Sequence, residues 1–193
     1  MGLDMYLHAK KYEGGWSHSK DTSGFEALKQ LYDFIPIAEG SPAIEVQFTV
    51  GYWRKANAIH NWFVQNVQDG KDDCGSYYVS REQLKELQAE CYKVLQTQVP
   101  VSAGASSTIE INGETTDVAT TILNEWNNQM KNRGSAPVDD LPLPPTAGFF
   151  FGSTERDEWY FEGIRYTHDL IENLLKTIPD DKWEWSFEYT SSW

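Results

Sequence analysis

Cysteine is scarce: Cys74 and Cys91 are the only two in 193 residues, too few for a disulfide framework and at no spacing that a zinc site uses. A reducing cytoplasm suits such a chain. Basic charge is also short, with 16 Lys and Arg against 29 Asp and Glu for a formal net of −13. The surface as a whole therefore repels nucleic-acid phosphates and anionic membranes, and neither is an expected partner. An anionic ligand would need a local basic or amide-rich site. Imitation of DNA would need ordered carboxylate rows, whereas the acids here are scattered among aromatic and apolar residues. No window approaches the roughly 18 apolar residues of a membrane span. The start MGLDMYLHAK carries no secretion signal, and Tyr6 stands where N-myristoylation wants Ser or Thr. There is no internal repeat and no glycine-rich phosphate fingerprint after a strand.

Apolar side chains are plentiful, at 40% of residues with 14% aromatic, enough for one domain over 1–193 with a substantial core. Leu3, Met5 and Leu7 alternate with Asp4, Tyr6 and His8, and Ile44, Val46, Phe48 and Val50 with Glu45, Gln47 and Thr49. Both have the period of half-buried strands. Between them a short helix is expected over 25–32. A second helix is predicted over about 54–67 from the spacing of Ala56, Ile59, Phe63 and Val67, ending at Asp69 and Gly70. A short strand at 77–79 precedes a helix to about Gln96, opened by a Ser80/Gln83 capping box and burying Leu84, Leu87, Cys91 and Leu95.

The segment 98–147 changes character and reads as an insert. It holds a small hairpin over 108–116 turning at Asn112 and Gly113, a helix marked by Val118, Ile122, Trp126 and Met130, and a proline-rich stretch. GFFFG at 148–152 is a compact aromatic strand. Ser153 or Thr154 is expected to cap a long helix whose face is Tyr160, Ile164, Thr167, Ile171, Leu174 and Ile178. Trp183, Trp185, Phe187 and Tyr189 form the last strand. The class is α+β: a single mainly antiparallel sheet of four or five strands, with three or four helices packed on it.

The segment YWRKANAIHNWFV reads as a pocket wall. Trp53, Asn57 and His60 share the apolar arc of the predicted helix, with Arg54, Lys55 and Asn61 at its rim. Together they offer stacking, amide hydrogen bonds and cations, the groups that a phosphate-bearing ligand needs. His60 suits the core equally well, as a buried histidine bonded to a neighbour. The helix start after GFFFG offers free amides with the Ser153 and Thr154 hydroxyls, an arrangement that serves either an anion or an ordinary cap. Tyr78, Phe150 and Asp157 complete the candidate ligand set. The acidic groups Asp69, Asp72, Asp73 and Glu155, Asp157, Glu158 lack calcium-loop spacing and read as solvated or capping groups. No cofactor or metal is called for. Replacing Trp53 or Arg54 by alanine is expected to remove binding and spare the fold.

Four blocks, GLDMYL, GYWRKANAIHNWFVQNVQDG, DDCGSYYVSREQL and PTAGFFFGSTERDEWY, resemble a family of small proteins carried by phages and prophages. They cover roughly a third of the chain, too much for a chance match. The stretch 101–137 is longer than that family leads one to expect. The resemblance implies an anti-defence factor in the host cytoplasm, similar to the sponges that sequester nucleotide signals of Thoeris or CBASS immunity. On that reading the protein is no enzyme but a homo-oligomer holding a cyclic ADP-ribose-type or cyclic dinucleotide ligand. Two other readings are a hydrolase of such a nucleotide, with His60 as base assisted by Asp157 or Glu155, and an acidic protein that occupies a host factor.

Overall fold

The computed structural model describes residues 2–97, 108–111, 114–117, 141–148 and 152–193. Its frame is a four-stranded antiparallel sheet in the order β2-β1-β6-β3, built from β1 (Asp4–Gly14), β2 (Ala43–Arg54), β3 (Ser76–Val79) and β6 (Trp185–Ser192). A separate antiparallel pair, β4 (Thr108–Ile111) and β5 (Glu114–Asp117), sets Ile111 opposite Glu114, as the hairpin pattern predicts. The α+β class and the single main sheet stand as expected, with four helices among the described residues. The expected helix over 118–130 and the aromatic run 149–151, including Phe150, lie outside the described residues.

Alternation drives the sheet. Leu3, Met5, Leu7 and Ala9 are all fully buried, and burial of each larger side chain contributes about 1.5–3 kcal/mol before entropy is counted. Tyr6, His8 and Lys10 point to the opposite face, where Lys10 Nζ donates to Glu188 Oε2 at 2.7 Å. The central β1 pairs Met5 with both Trp53 and Ser191. Between Leu7 and His8 the register slips, so Val50 is the extra residue of a β-bulge.

The helices α2 (Asn57–Asn66), α3 (Arg81–Leu95) and α4 (Glu158–Thr177) pack on the face that buries Met5, Leu7, Phe187 and Tyr189. Gly51 makes this close approach feasible, since a Cβ there would lie 2.6 Å from Leu170 Cδ2 of α4. α3 opens with the predicted box: Ser80 Oγ accepts from Gln83 N at 3.1 Å and Gln83 Oε1 from Ser80 N at 2.8 Å. Its Arg81 guanidinium donates to the Ile178 carbonyl and lies over Phe187, tying α3 to the end of α4. The peripheral α1 (Ser23–Leu31) is anchored by buried Phe25.

Three expectations about element boundaries need correction. The helix predicted over 54–67 begins only at Asn57, because β2 continues through Trp53 and Arg54, still paired with Met5 and Asp4. Strand pairing outcompetes a helical periodicity that extends that far. The long helix is capped neither by Ser153 nor by Thr154. Asp157 does this, its Oδ1 accepting from Tyr160 N at 2.9 Å, and a carboxylate is the better partner for a helix N-terminus. Finally, β6 begins at Trp185, leaving Trp183 81% exposed before it.

Candidate functional site

Two segments far apart in sequence meet at the C-terminal end of β2. One runs from Tyr52 to Ile59, and the other from Gly152 to Tyr166 through the start of α4. They enclose a cleft of about 650 Å³, within the range of roughly 300–1,000 Å³ usual for small-ligand pockets.

The turn that aims the first wall is strained. Lys55 adopts a left-handed φ of 59°, a cost of about 1 kcal/mol or more for a non-glycine residue. It is held there as its N–H donates to the Leu3 carbonyl at 2.8 Å. Opposite, Gly152 has φ 88°, and a Cβ on it would come within 3.4 Å of Lys55 Cβ. Glycine meets both demands.

Asn57 closes the cleft's base. Its Nδ2 donates to the Ser153 carbonyl at 2.7 Å, while its Oδ1 accepts from Thr146 N at 3.1 Å. One buried amide thus ties the 141–148 strap and the loop before α4 to the first turn of α2. The strap is further held by Tyr160, whose hydroxyl donates to the Leu143 carbonyl at 2.8 Å, and by Arg156, whose Nη2 donates to the Leu141 carbonyl at 3.4 Å while the guanidinium lies over the Tyr160 ring. Burial pushes the Tyr160 phenol up to about 12, so it stays a donor throughout the physiological range.

The walls differ in charge. Arg54 and Lys55, both exposed, stand on the β2–α2 side. No side chain caps α2, and Ala58 and Ile59 of its first turn line the same wall, so the positive end of that helix faces the cleft. Glu155, Asp157 and Glu162 form the other wall. Aromatic surface joins the two: Tyr52, Trp159 and Tyr166, with Trp159 79% exposed at the rim. Tyr166 is fixed by its hydroxyl, which accepts from Tyr52 N at 3.2 Å.

Of the residues singled out from the sequence, Trp53, Arg54, Lys55, Asn57, Ser153 and Asp157 meet at this cleft. Their roles change. Trp53 is 3% exposed, with Nε1 donating to Thr167 Oγ1 at 2.8 Å. It is a core residue with one edge on the cleft, and its replacement by alanine would cost about 3–5 kcal/mol, so the expectation that the fold survives Trp53→Ala is withdrawn. The anion-favouring helix start is that of α2, because α4 fills its own N-terminus with Asp157.

His60 leaves the site altogether. It is fully buried, with Nδ1 2.7 Å from the Tyr189 hydroxyl and Nε2 2.9 Å from Asp72 Oδ1. The Asp72 carboxylate can only accept, so Nε2 carries the proton and Nδ1 accepts from Tyr189. Trp193 packs edge-on against the same imidazole at 5.8 Å. Burial lowers the pKa of His60, with Asp72 opposing that shift. Asn61 is half-buried and does not line the cleft. Thr154 is exposed beside it without lining it. Tyr78 lies on β3 at the far sheet edge, 68% exposed.

Sequence reading missed Trp159, Glu162 and Tyr166. The signal was present for Trp159, a large aromatic off the buried stripe of an amphipathic helix. Tyr166 carries the same mark, lying off the stripe of Ile164, Thr167 and Ile171. Among the described residues no group of three His, Cys, Asp or Glu could hold a metal ion. The acidic loop has local duties instead: Asp72 receives His60, and Asp73 accepts from the Tyr77 hydroxyl and Gly75 N. Cys91 is buried, which pushes its thiol pKa up, and Cys74 is exposed. No helix among the described residues is long and apolar enough to cross a membrane. No family model, curated protein or solved structure matches the chain.

Proposed function

We propose that the protein is a binding protein that holds a nucleotide-derived signal in the β2–α2–α4 cleft without cleaving it, as the phage anti-defence family that its sequence blocks resemble implies. The observation that carries this reading is the polarised cleft. A purely cationic site would suit any polyanion, but here two cations and an uncapped helix end face three carboxylates across aromatic surface. A nucleotide has the matching layout: phosphate for Arg54 and Lys55, a planar base for Trp159 or Tyr166, and ribose hydroxyls or base amino groups that donate to Glu155 and Glu162. Cyclic ADP-ribose-type molecules and cyclic dinucleotides both carry these three parts.

The hydrolytic alternative loses its base, because His60 is fully buried and bonded on both ring nitrogens, while a general base must reach the proton it removes. Glu155 and Asp157 remain at the cleft, so release of product is tested directly.

The purified chain is incubated with cyclic ADP-ribose isomers and cyclic dinucleotides, the free ligand is measured, and the protein is then heat-denatured. Depletion followed by recovery of intact ligand supports sequestration. Recovered products indicate catalysis, and no depletion of any nucleotide sinks the proposal. Arg54 and Lys55 are exposed, so an Arg54→Ala/Lys55→Ala variant should keep its melting temperature and lose at least about tenfold in affinity, the equivalent of 1.4 kcal/mol.

A further inference from the structure

The two edges of the main sheet are unlike. β3 is four residues long, and shortness is one way an edge avoids pairing with another chain. β2 is twelve residues long and occupies the other edge, with no described strand beyond it. Gly15 N donates to the Pro42 carbonyl at 2.7 Å, so Pro42 turns its polar group toward β1. Alternation then aims the N–H and C=O groups of Ala43, Glu45, Gln47 and Thr49 away from β1, at the open edge. The free stretch ends at the bulge, beyond which Tyr52 N is taken by the Tyr166 hydroxyl.

This stretch, AIEVQFT, lacks the usual protections. It contains no lysine and no proline, and its single charge, Glu45, has Lys10 Nζ at 3.6 Å. In a chain of net charge −13, whose repulsion resists self-association, this long edge brings almost no like charge to meet its copy. Phe48 is 47% exposed on the helix-bearing side and borders an apolar groove with Val50, Leu170 and Trp185.

We propose that β2 pairs antiparallel with β2 of a second copy about a two-fold axis through Gln47, joining the two sheets into one of eight strands. Outward-facing residues must oppose outward-facing residues, which restricts the register to pairs such as 47 with 47 and 45 with 49. With Gln47 on the axis, Glu45 faces a threonine rather than its own copy. Val46 then faces Phe48 of the other chain on the helix-bearing side, so each copy covers apolar surface that the other exposes. The pairing is independent of the cleft reading, because the cleft lies at the opposite end of β2.

Sedimentation equilibrium of the full chain should give twice the monomer mass of 22.1 kDa. Gln47→Pro removes an outward N–H that β1 does not use, and should return the mass to one chain with an unchanged far-UV spectrum. A Gln47→Cys change in a Cys74→Ser background should give a covalent dimer on mild oxidation, since opposed residues sit about 5.5 Å apart at Cα, inside the disulfide range. The matching Glu45→Cys variant should not. A monomeric wild type, a Gln47→Pro variant that stays dimeric, or cross-linking as fast at 45 as at 47 would each overturn the proposal.

Discussion

Replacing Asn57 by alanine removes the amide that ties the strap at Thr146 and the loop at Ser153 to the start of α2. Asn57 is 5% exposed, whereas Ser153 is exposed and Thr146 half-buried, so water can take over part of what each partner loses. A buried group left without its partner costs about 1–3 kcal/mol, so the two bonds, at 2.7 and 3.1 Å, would cost about 2–6 kcal/mol if fully buried and about 2–4 kcal/mol with water reaching the partners in part. For a chain of this size each kcal/mol moves the melting temperature by about 2–4 °C. A fall of about 4–16 °C is therefore expected in a thermal melt followed by circular dichroism.

Asn57→Asp sharpens the test. The introduced carboxylate still accepts from Thr146 N, but at neutral pH it turns a second acceptor toward the Ser153 carbonyl instead of a donor. Similar size and half-retained bonding should therefore not rescue the protein. If both variants melt within about 2 °C of wild type, less than one kcal/mol on the same scale, the clasp does not hold the cleft together.

Two further consequences follow from the same geometry. His60 is kept neutral by burial, its pKa lying below the ordinary 6.5. Below that value the unfolded chain takes up a proton that the folded chain refuses, so stability is full above about pH 7 and declines as pH falls toward the lowered folded value. Melts recorded between pH 8 and 5, a span of about three units around the ordinary histidine value, should show this decline. It should be weaker in His60→Asn, with a residue left by His8, whose pKa burial also lowers. An identical slope in the variant would assign the decline elsewhere. Ser80→Ala breaks the capping box of α3 and should cost about 1 kcal/mol in urea unfolding. Adding Gln83→Ala should then cost less than it does alone, because the two side chains serve one reciprocal cap.

Much of the frame was legible in the residues themselves. Alternation from Leu3 to Ala9 and from Ile44 to Val50 declares half-buried strands, and Ser80 with Gln83 declares a helix start, because each depends on neighbours within a few residues. The same locality explains the errors. Trp53 and Arg54 continue a helical spacing, yet their backbone groups find a better partner in β1, about 50 residues earlier in the chain. Ser153 and Thr154 are sound caps by type, but the chain turns into α4 only at Asp157, after Asn57 has claimed the Ser153 carbonyl.

The sequence by itself determined which pieces are chemically unusual: a cationic, aromatic stretch at 52–57 and a glycine-flanked approach to an acidic helix at 152–160. Only the tertiary structure decided that they form one cleft, since adjacency across about 100 residues depends on how β2 and α4 pack through Gly51. It also decided that Asn57 is a clasp and His60 a buried link to Tyr189 and Asp72. Composition fixes what a side chain can donate or accept, while the fold fixes which partner it meets and whether water can reach it.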